Sequence, residues 1–302
     1  MAKDLLSVSD LRANELESIL NETKKIKASP KKYYKKLQNK TLAMIFEKPS
    51  TRTRVSFQVA MYELGGFSIV LNPEDMQLGR GETIADSARV LSRYVEGIMA
   101  RVYSHNTLVE LAENSTIPII NGLSDIEHPC QIISDLFTIK EKAGKLKRVN
   151  LAYIGDGNNV CNSLILGCAM TGVNLKVASP DGFKPNAEFI KKTEKLKRSK
   201  IDVLVDPKIA VKDADFIYTD VWVSMGDEKE TKERIKAFQE YQINSELLKV
   251  AKKNPKIMHC LPAHRGQEIT DDVIDSKNSI VWDQAENRLH AQKAILLHLM
   301  KK

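Results

Sequence analysis

Two arginines sit where a helix should begin. Ser50-Thr51-Arg52-Thr53-Arg54 follows the apolar run Thr41–Phe46 and Pro49, and precedes Val55, Phe57, Val59, Met61, Tyr62 and Leu64 at mostly helical spacing, closed by Gly65-Gly66. Pro49 stops the strand pattern, and the hydroxyl residues suit an N-cap and first turn, so the stretch reads as a strand-to-helix turn. The helix dipole already places partial positive charge there, which makes two guanidinium groups unfavourable unless an anion neutralises them. Backbone N–H groups, hydroxyls and arginines at a helix N-terminus together make a phosphate site. A solvated basic turn with an ordinary serine cap is the alternative reading of the same residues.

Other chemistry-bearing residues fall at the ends of apolar runs. Arg101 closes Gly97–Arg101 and by itself reads as a strand-end salt-bridge partner. His128-Pro129-Cys130-Gln131 opens a helix. A lone histidine there is more often structural, yet the proline locks the turn and Gln131 lies one turn on, so both side chains can address one ligand. Gly155-Asp156-Gly157-Asn158-Asn159-Val160 has the outline of a dinucleotide fingerprint, but Val160 takes the place of the third glycine and Ser179-Pro180, not an acidic residue, follows the next strand. An oxidoreductase reading is therefore rejected, and two amide side chains at a helix start suit a small carboxylate better. Asp220 and Ser224, within Asp220-Val221-Trp222-Val223-Ser224-Met225-Gly226, can grip an ammonium group or simply cap a surface loop. Cys260 ends a further apolar run amid polar residues, whereas a lone strand-end cysteine is usually packing.

Phe46-x-x-Pro49-Ser50-Thr51-Arg52-Thr53-Arg54-x-Ser56-Phe57 resembles the carbamoyl-phosphate signature of the aspartate/ornithine carbamoyltransferase family. The remaining motifs follow in that family's order, from the first helix to the last. His128-Pro129-x-Gln131 resembles its His-Pro-x-Gln element, which implies that His128 donates to the carbamoyl oxygen and Gln131 holds the carbamoyl amide. Arg101, and Arg288 within Glu286-Asn287-Arg288, look like further carbamoyl-phosphate ligands. Asn159 matches the carboxylate contact of an ornithine loop. Asp220-x-Trp222-x-Ser224-Met225-Gly226 and His259-Cys260-Leu261-Pro262 look like ornithine rather than aspartate members, with Cys260 near the side-chain amine and the Leu261 carbonyl accepting from the carbamoyl amide. The resemblance implies carbamoyl transfer from carbamoyl phosphate to the δ-amine of L-ornithine, giving L-citrulline and phosphate, in arginine biosynthesis. The catalytic set it implies is Arg101, His128, Asp220 and Cys260, and the implied chemistry is direct acyl transfer with no cofactor and no metal. It further implies a homotrimer in which Gln77 serves a neighbouring subunit's site. Relatives acting on putrescine or an acylated ornithine, and a non-catalytic binder of carbamoyl phosphate, share part of the pattern. The intact Asp-x-Trp-x-Ser-Met-Gly stretch argues against the former, and the complete catalytic set against the latter.

The elements that must position these residues alternate between strand and helix. Expected strands are Thr41–Phe46, Phe67–Leu71, Gly97–Arg101 and Ile117–Asn121, then Asn150–Ile154, Leu175–Ala178, Asp202–Val205, Phe216–Thr219, Ile257–His259 and Ile280-Val281. Expected helices include Ser7–Ile26, Thr83–Tyr94, Val160–Gly172, Ala187–Leu196, Ser245–Ala251 and Ala285–Met300. Such alternation implies parallel sheets covered by helices, with ligands at the carboxyl ends of the strands. The pattern predicts an α/β protein of two lobes with an active-site cleft between them. Residues 1–143, completed by a C-terminal helix over 285–302, would bind carbamoyl phosphate, and residues 144–284 would bind ornithine.

Composition sets the outer bounds. The chain has 302 residues, 42% hydrophobic and 28% charged, the profile of a globular protein. No apolar run approaches the roughly 20 residues that span a bilayer, and the first residues carry no signal-peptide core. Four scattered cysteines form neither a Cys-x-x-Cys nor a Cys/His cluster, which fits a reducing cytoplasm rather than a zinc or disulfide framework. The net charge of +7 invites a nucleic-acid reading, but only 6% of residues are aromatic and no recognition motif stands out. A small anionic substrate accounts for part of the charge equally well.

Overall fold

Short apolar runs become parallel strands, most of them buried, each followed by a helix that covers the sheet. This is seen in a computed structural model, which describes residues 3–72, 74, 76, 81–194, 196, 198–223 and 230–301. The chain divides into two units, Met1–Phe137 with Asn287–Lys302, and Thr138–Glu286.

The first unit holds a four-stranded sheet of β1 (Thr41–Phe46), β2 (Phe67–Leu71), β3 (Gly97–Arg101) and β4 (Ile119–Leu123), in the order β2-β1-β3-β4 and parallel throughout. Leu42 to Phe46 and all of β3 are buried, as fully covered strands require. Helices α1 (Ala13–Ala28), α2 (Thr51–Glu63), α3 (Ile84–Leu91), α4 (His105–Asn114) and α5 (Pro129–Ala143) follow the chain, and α12 (Val281–Met300) returns to this unit at its C-terminal end. The buried Lys293 of α12 pairs with Glu63 at the end of α2.

The second unit carries β5 (Asn150–Ile154), β6 (Asn174–Ala178), β7 (Ile201–Leu204), β8 (Phe216–Thr219) and β9 (Lys256–His259), parallel in the order β7-β6-β5-β8-β9. Its helices are α6 (Asn159–Thr171), α7 (Ala187–Glu194), α8 (Pro207–Val211), α9 (Thr231–Phe238), α10 (Ser245–Lys249) and α11 (Asp271–Ile274). Asn158 caps α6, and the preceding turn depends on a glycine: a Cβ on Gly157 would lie 2.1 Å from the backbone nitrogen of Pro185.

Several elements depart from the sequence pattern. The expected first helix is two pieces, because Ser7 and Asp10 close a capping box around a 3₁₀ turn and Arg12 and Glu15 then start α1 afresh. α4 lies in a stretch the pattern passed over. It is capped by Ser104 and buries only Leu108 and Leu111, a weak periodic signal. β4 begins after Pro118, which has no N–H to donate, and runs to Leu123 rather than ending at Asn121. The expected strand at Ile280-Val281 is corrected. The Ile280 N–H does bond the Ile257 carbonyl at 2.9 Å, but Ser279 makes only an isolated bridge and Val281 begins α12, four residues before the expected helix start.

Candidate functional site

In the first unit the strand-to-helix turn forms as the sequence requires. Ser50 is the N-cap of α2, its Oγ accepting from the Thr53 N–H at 3.2 Å. Thr53 is buried, Arg52 half-buried, and Thr51 and Arg54 are exposed. The turn lines a cavity of about 900 Å³ with Phe46, Asn72 and Tyr103. Arg54 lies against its wall, its guanidinium carbon 5.8 Å from the Phe46 ring centre. Lys48, which the sequence did not single out, is buried and stands 4.7 Å from the Tyr103 ring centre.

Behind the turn, α2, α5 and α12 share a buried polar network. Arg288 donates from Nη2 to Thr53 Oγ1 at 3.3 Å and from Nη1 to Gln131 Oε1. Gln131 in turn donates from Nε2 to Asp135 Oδ1 at 2.9 Å. Arg101 and His128 are buried in the same unit. Burial holds His128 well below the usual imidazole range, and the charges of Arg288 and Arg101 depress it further, so it is neutral at neutral pH. A neutral imidazole can donate one N–H to a ligand oxygen without adding a third charge. Cys130 is a buried thiol that donates to the Asn121 carbonyl, and burial pushes it up to about 12. The structure therefore brings Arg288 into contact with Thr53 and Gln131, with His128 close enough to feel the charges of Arg288 and Arg101.

In the second unit the residues gather at the carboxyl ends of β5, β8 and β9. Asp220 is buried, and its Oδ1 accepts from the Cys260 Sγ and from the Val221 N–H, each at 2.8 Å. Its Oδ2 accepts from Asn158 Nδ2 at 2.9 Å. Asn158, which the sequence did not single out, is thus the amide joined to Asp220. Its Oδ1 also accepts from the Val160 and Cys161 N–H groups, which ties Asp220 to the start of α6. Asn159 lies beside it, half-buried. Arg234 was also missed. It donates from Nη1 to Asp156 Oδ2 at 2.8 Å and to the Trp222 carbonyl at 3.1 Å, an ion pair invisible until β5 and α9 are placed in space.

Asp220, His259 and Cys260 each place a potential metal-ligand atom within 4.8 Å of the others. His259, however, accepts the Leu261 N–H at Nδ1 (2.8 Å) and turns Nε2 to Glu268 (3.1 Å), so neither ring nitrogen is open to a metal. Leu261, held by that bond, has φ of 59°, in the left-handed region. Three expected site residues, Gln77, Ser224 and Met225, lie outside the described residues.

Comparison with known proteins is consistent along the whole chain. Residues 3–141 match the carbamoyl-P binding domain of aspartate/ornithine carbamoyltransferase, and residues 147–299 match its Asp/Orn binding domain. The chain belongs to the aspartate/ornithine carbamoyltransferase family. Among family members, it is 57% identical to the ornithine carbamoyltransferase of Archaeoglobus fulgidus, over 99% of this chain and 98% of that one. It is 55% identical to an anabolic ornithine carbamoyltransferase of Pyrococcus furiosus, over 99% and 96%. A solved structure of ornithine carbamoyltransferase from Pyrococcus furiosus superposes with a TM-score of 0.95, covering 99% of this chain and 97% of that one.

The His128 environment predicts a specific pH dependence. An unfolded imidazole takes up a proton below its ordinary value of 6.5, whereas the buried one does not. The unfolded state then binds more protons, so stability is full above that pH and falls on acidification, by about 1.4 kcal/mol per pH unit from this group. Denaturant unfolding of His128→Gln across this range should show a shallower acid loss than the unsubstituted protein. Identical slopes would contradict a neutral buried His128.

Proposed function

We propose that this chain transfers the carbamoyl group of carbamoyl phosphate to the δ-amine of L-ornithine, giving L-citrulline and phosphate in the direction of arginine biosynthesis. The observation that carries the reading is chemical complementarity in each unit: a guanidinium-rich cluster with a neutral histidine in one, and a buried carboxylate bonded to a thiol and an amide in the other. Ser50, Thr51, Arg52, Thr53 and Arg54 hold the phosphate with Arg288, and Gln77 completes that shell. Thr53, Arg101 and His128 stabilise the negative charge that develops on the carbonyl oxygen. Gln131 and the Leu261 carbonyl hold the carbamoyl amide.

Asp220, with Asn159, Ser224 and Met225, holds ornithine, and Asp220 and Cys260 orient its δ-amine. The amine nitrogen attacks the carbonyl carbon, the carbon–oxygen bond to phosphate breaks, and the departing phosphate takes the proton. No metal, cofactor or covalent enzyme intermediate enters this scheme. An alkyl ammonium titrates near 10.4, so the reactive neutral amine is scarce at neutral pH, and the rate should rise into the alkaline range.

We further propose a homotrimer in which Gln77 reaches a neighbour's site. Val55 and Tyr62, one above the other on α2, and Phe67 and Ile69 of the edge strand β2 are exposed apolar residues of the kind a second copy covers. Four cysteines outside any disulfide, three of them buried, suit a reducing cytoplasm.

Incubating the purified protein with carbamoyl phosphate and a panel of amines, with colorimetric detection of ureido products, should give product with ornithine and not with aspartate or putrescine. Asp220→Asn should raise the ornithine KM by at least about tenfold while leaving carbamoyl-phosphate affinity unchanged, since it removes the counter-charge to an ammonium. Equal loss for both substrates would contradict the assignment. Mixing dissociated Gln77→Ala and Arg52→Ala subunits and letting them reassociate should restore part of the activity each lacks alone. Verified mixed trimers without recovery would place Gln77 in its own chain's site.

A further inference from the structure

We propose that Asp135, through Gln131, makes the site select a carbamoyl over an acyl phosphate. An amide side chain is nearly symmetric in shape, and a half-turn about its last bond exchanges a donor for an acceptor. Gln131 does not have that freedom here. Arg288 can only donate, so the Gln131 atom facing it must be the carbonyl oxygen. Asp135 sits one helical turn further along α5, and its Oδ1 accepts the opposite end of the amide, Nε2, at 2.9 Å. Gln131, Asp135 and Arg288 are all buried, so water is a poor substitute for either partner.

The two neighbours therefore impose a single orientation, with Oε1 directed to Arg288 and Nε2 directed to Asp135. A carbonyl oxygen has two lone pairs, so Oε1 can accept from Arg288 and from one ligand N–H together. Such an acceptor favours a ligand that carries an NH2 group on its carbonyl carbon. It disfavours the same ligand with a methyl there, which leaves a buried acceptor without its donor. Asp135 is a positioning residue: it acts on the ligand through Gln131. If the aspartate is replaced by an amide, the residue can accept from Gln131 or donate to it, and the orientation of Gln131 is no longer single-valued.

The inference rests on the carbamoyl-phosphate reading of this unit and is tested without turnover. Titration calorimetry with carbamoyl phosphate and with acetyl phosphate gives a ratio of dissociation constants for each variant. In Asp135→Asn the preference for carbamoyl phosphate should fall at least about tenfold, mainly through weaker binding of carbamoyl phosphate, with an unchanged melting temperature. In a Gln131→Ala background, where the preference is already lost, adding Asp135→Asn should change nothing further, since the two act as one unit. Asp135→Ser serves in the same cycle should the asparagine variant fail to fold. A folded Asp135 variant that keeps the full preference, or one that weakens both ligands equally, overturns the proposal and leaves carbamoyl-phosphate binding standing. Failure of the unsubstituted protein to bind carbamoyl phosphate at all removes the underlying reading as well.

Discussion

A buried guanidinium needs hydrogen bonds on its donors, and that need organises the first unit. Arg288 comes from the last helix of the chain, yet its donors end on Thr53 at the start of α2 and Gln131 at the start of α5. Each partner lies in the first turn of its own helix, where Ser50 caps one and Pro129 begins the other. The arginine thereby holds two helix N-termini, with their partial positive charge, around one place. Positive charge concentrated in this way is costly in an empty protein and favourable around a phosphate. His128 is neutral chiefly because it is buried, and the same field adds to this, because a third cation beside Arg288 and Arg101 is what the surroundings resist.

The second unit uses the opposite charge. Asp220 is the focus, and its two oxygens receive hydrogen bonds from the residue after β9, from the chain after β8 and from the cap of α6. Those donors hold the carboxylate at the edge of a parallel sheet, where ligands gather in this class of fold. The pair His259–Glu268 fixes the next turn of chain by accepting the Leu261 N–H, which sets the direction of the carbonyl that follows. Both clusters thus follow one rule: a rigid strand or helix end supplies the polar group, and a buried hydrogen-bond partner from elsewhere in the sequence aims it.

How much of this could be read from sequence depended on whether the signal was local. The parallel strands were legible because a strand covered on both faces is an apolar run, as in Leu42–Phe46 and Leu151–Ile154. The strand-to-helix turn was legible because its cap, its proline and its arginines are contiguous. His128, Gln131, Asp220 and Cys260 were legible through the motifs that contain them. Asp135 was not, since a lone aspartate inside a helix looks like a solvated residue until Gln131 is found bonded to it. Arg234 was hidden for the same reason, because its ion pair with Asp156 joins residues far apart in the chain. The bond from Asn158 to Asp220 was hidden too, because only the cap geometry of α6 shows which of two adjacent amides turns toward that carboxylate. α4 was missed because it buries only two apolar side chains, and Val281 was taken for a strand because an apolar pair at the start of a helix has no period to show.

The proposed carbamoyl transfer requires that the Arg288 cluster and the Asp220 cluster recognise the two halves of one reaction. The most direct measurement is calorimetric titration with a single compound that carries both halves, a phosphonoacetyl group joined to the δ-nitrogen of L-ornithine. A stable mimic of the joined reactants should bind at least about 100-fold tighter than carbamoyl phosphate, and either Arg288→Ala or Asp220→Asn should remove most of that gain. Affinity no greater than that of carbamoyl phosphate, or a gain indifferent to Asp220→Asn, would contradict the account.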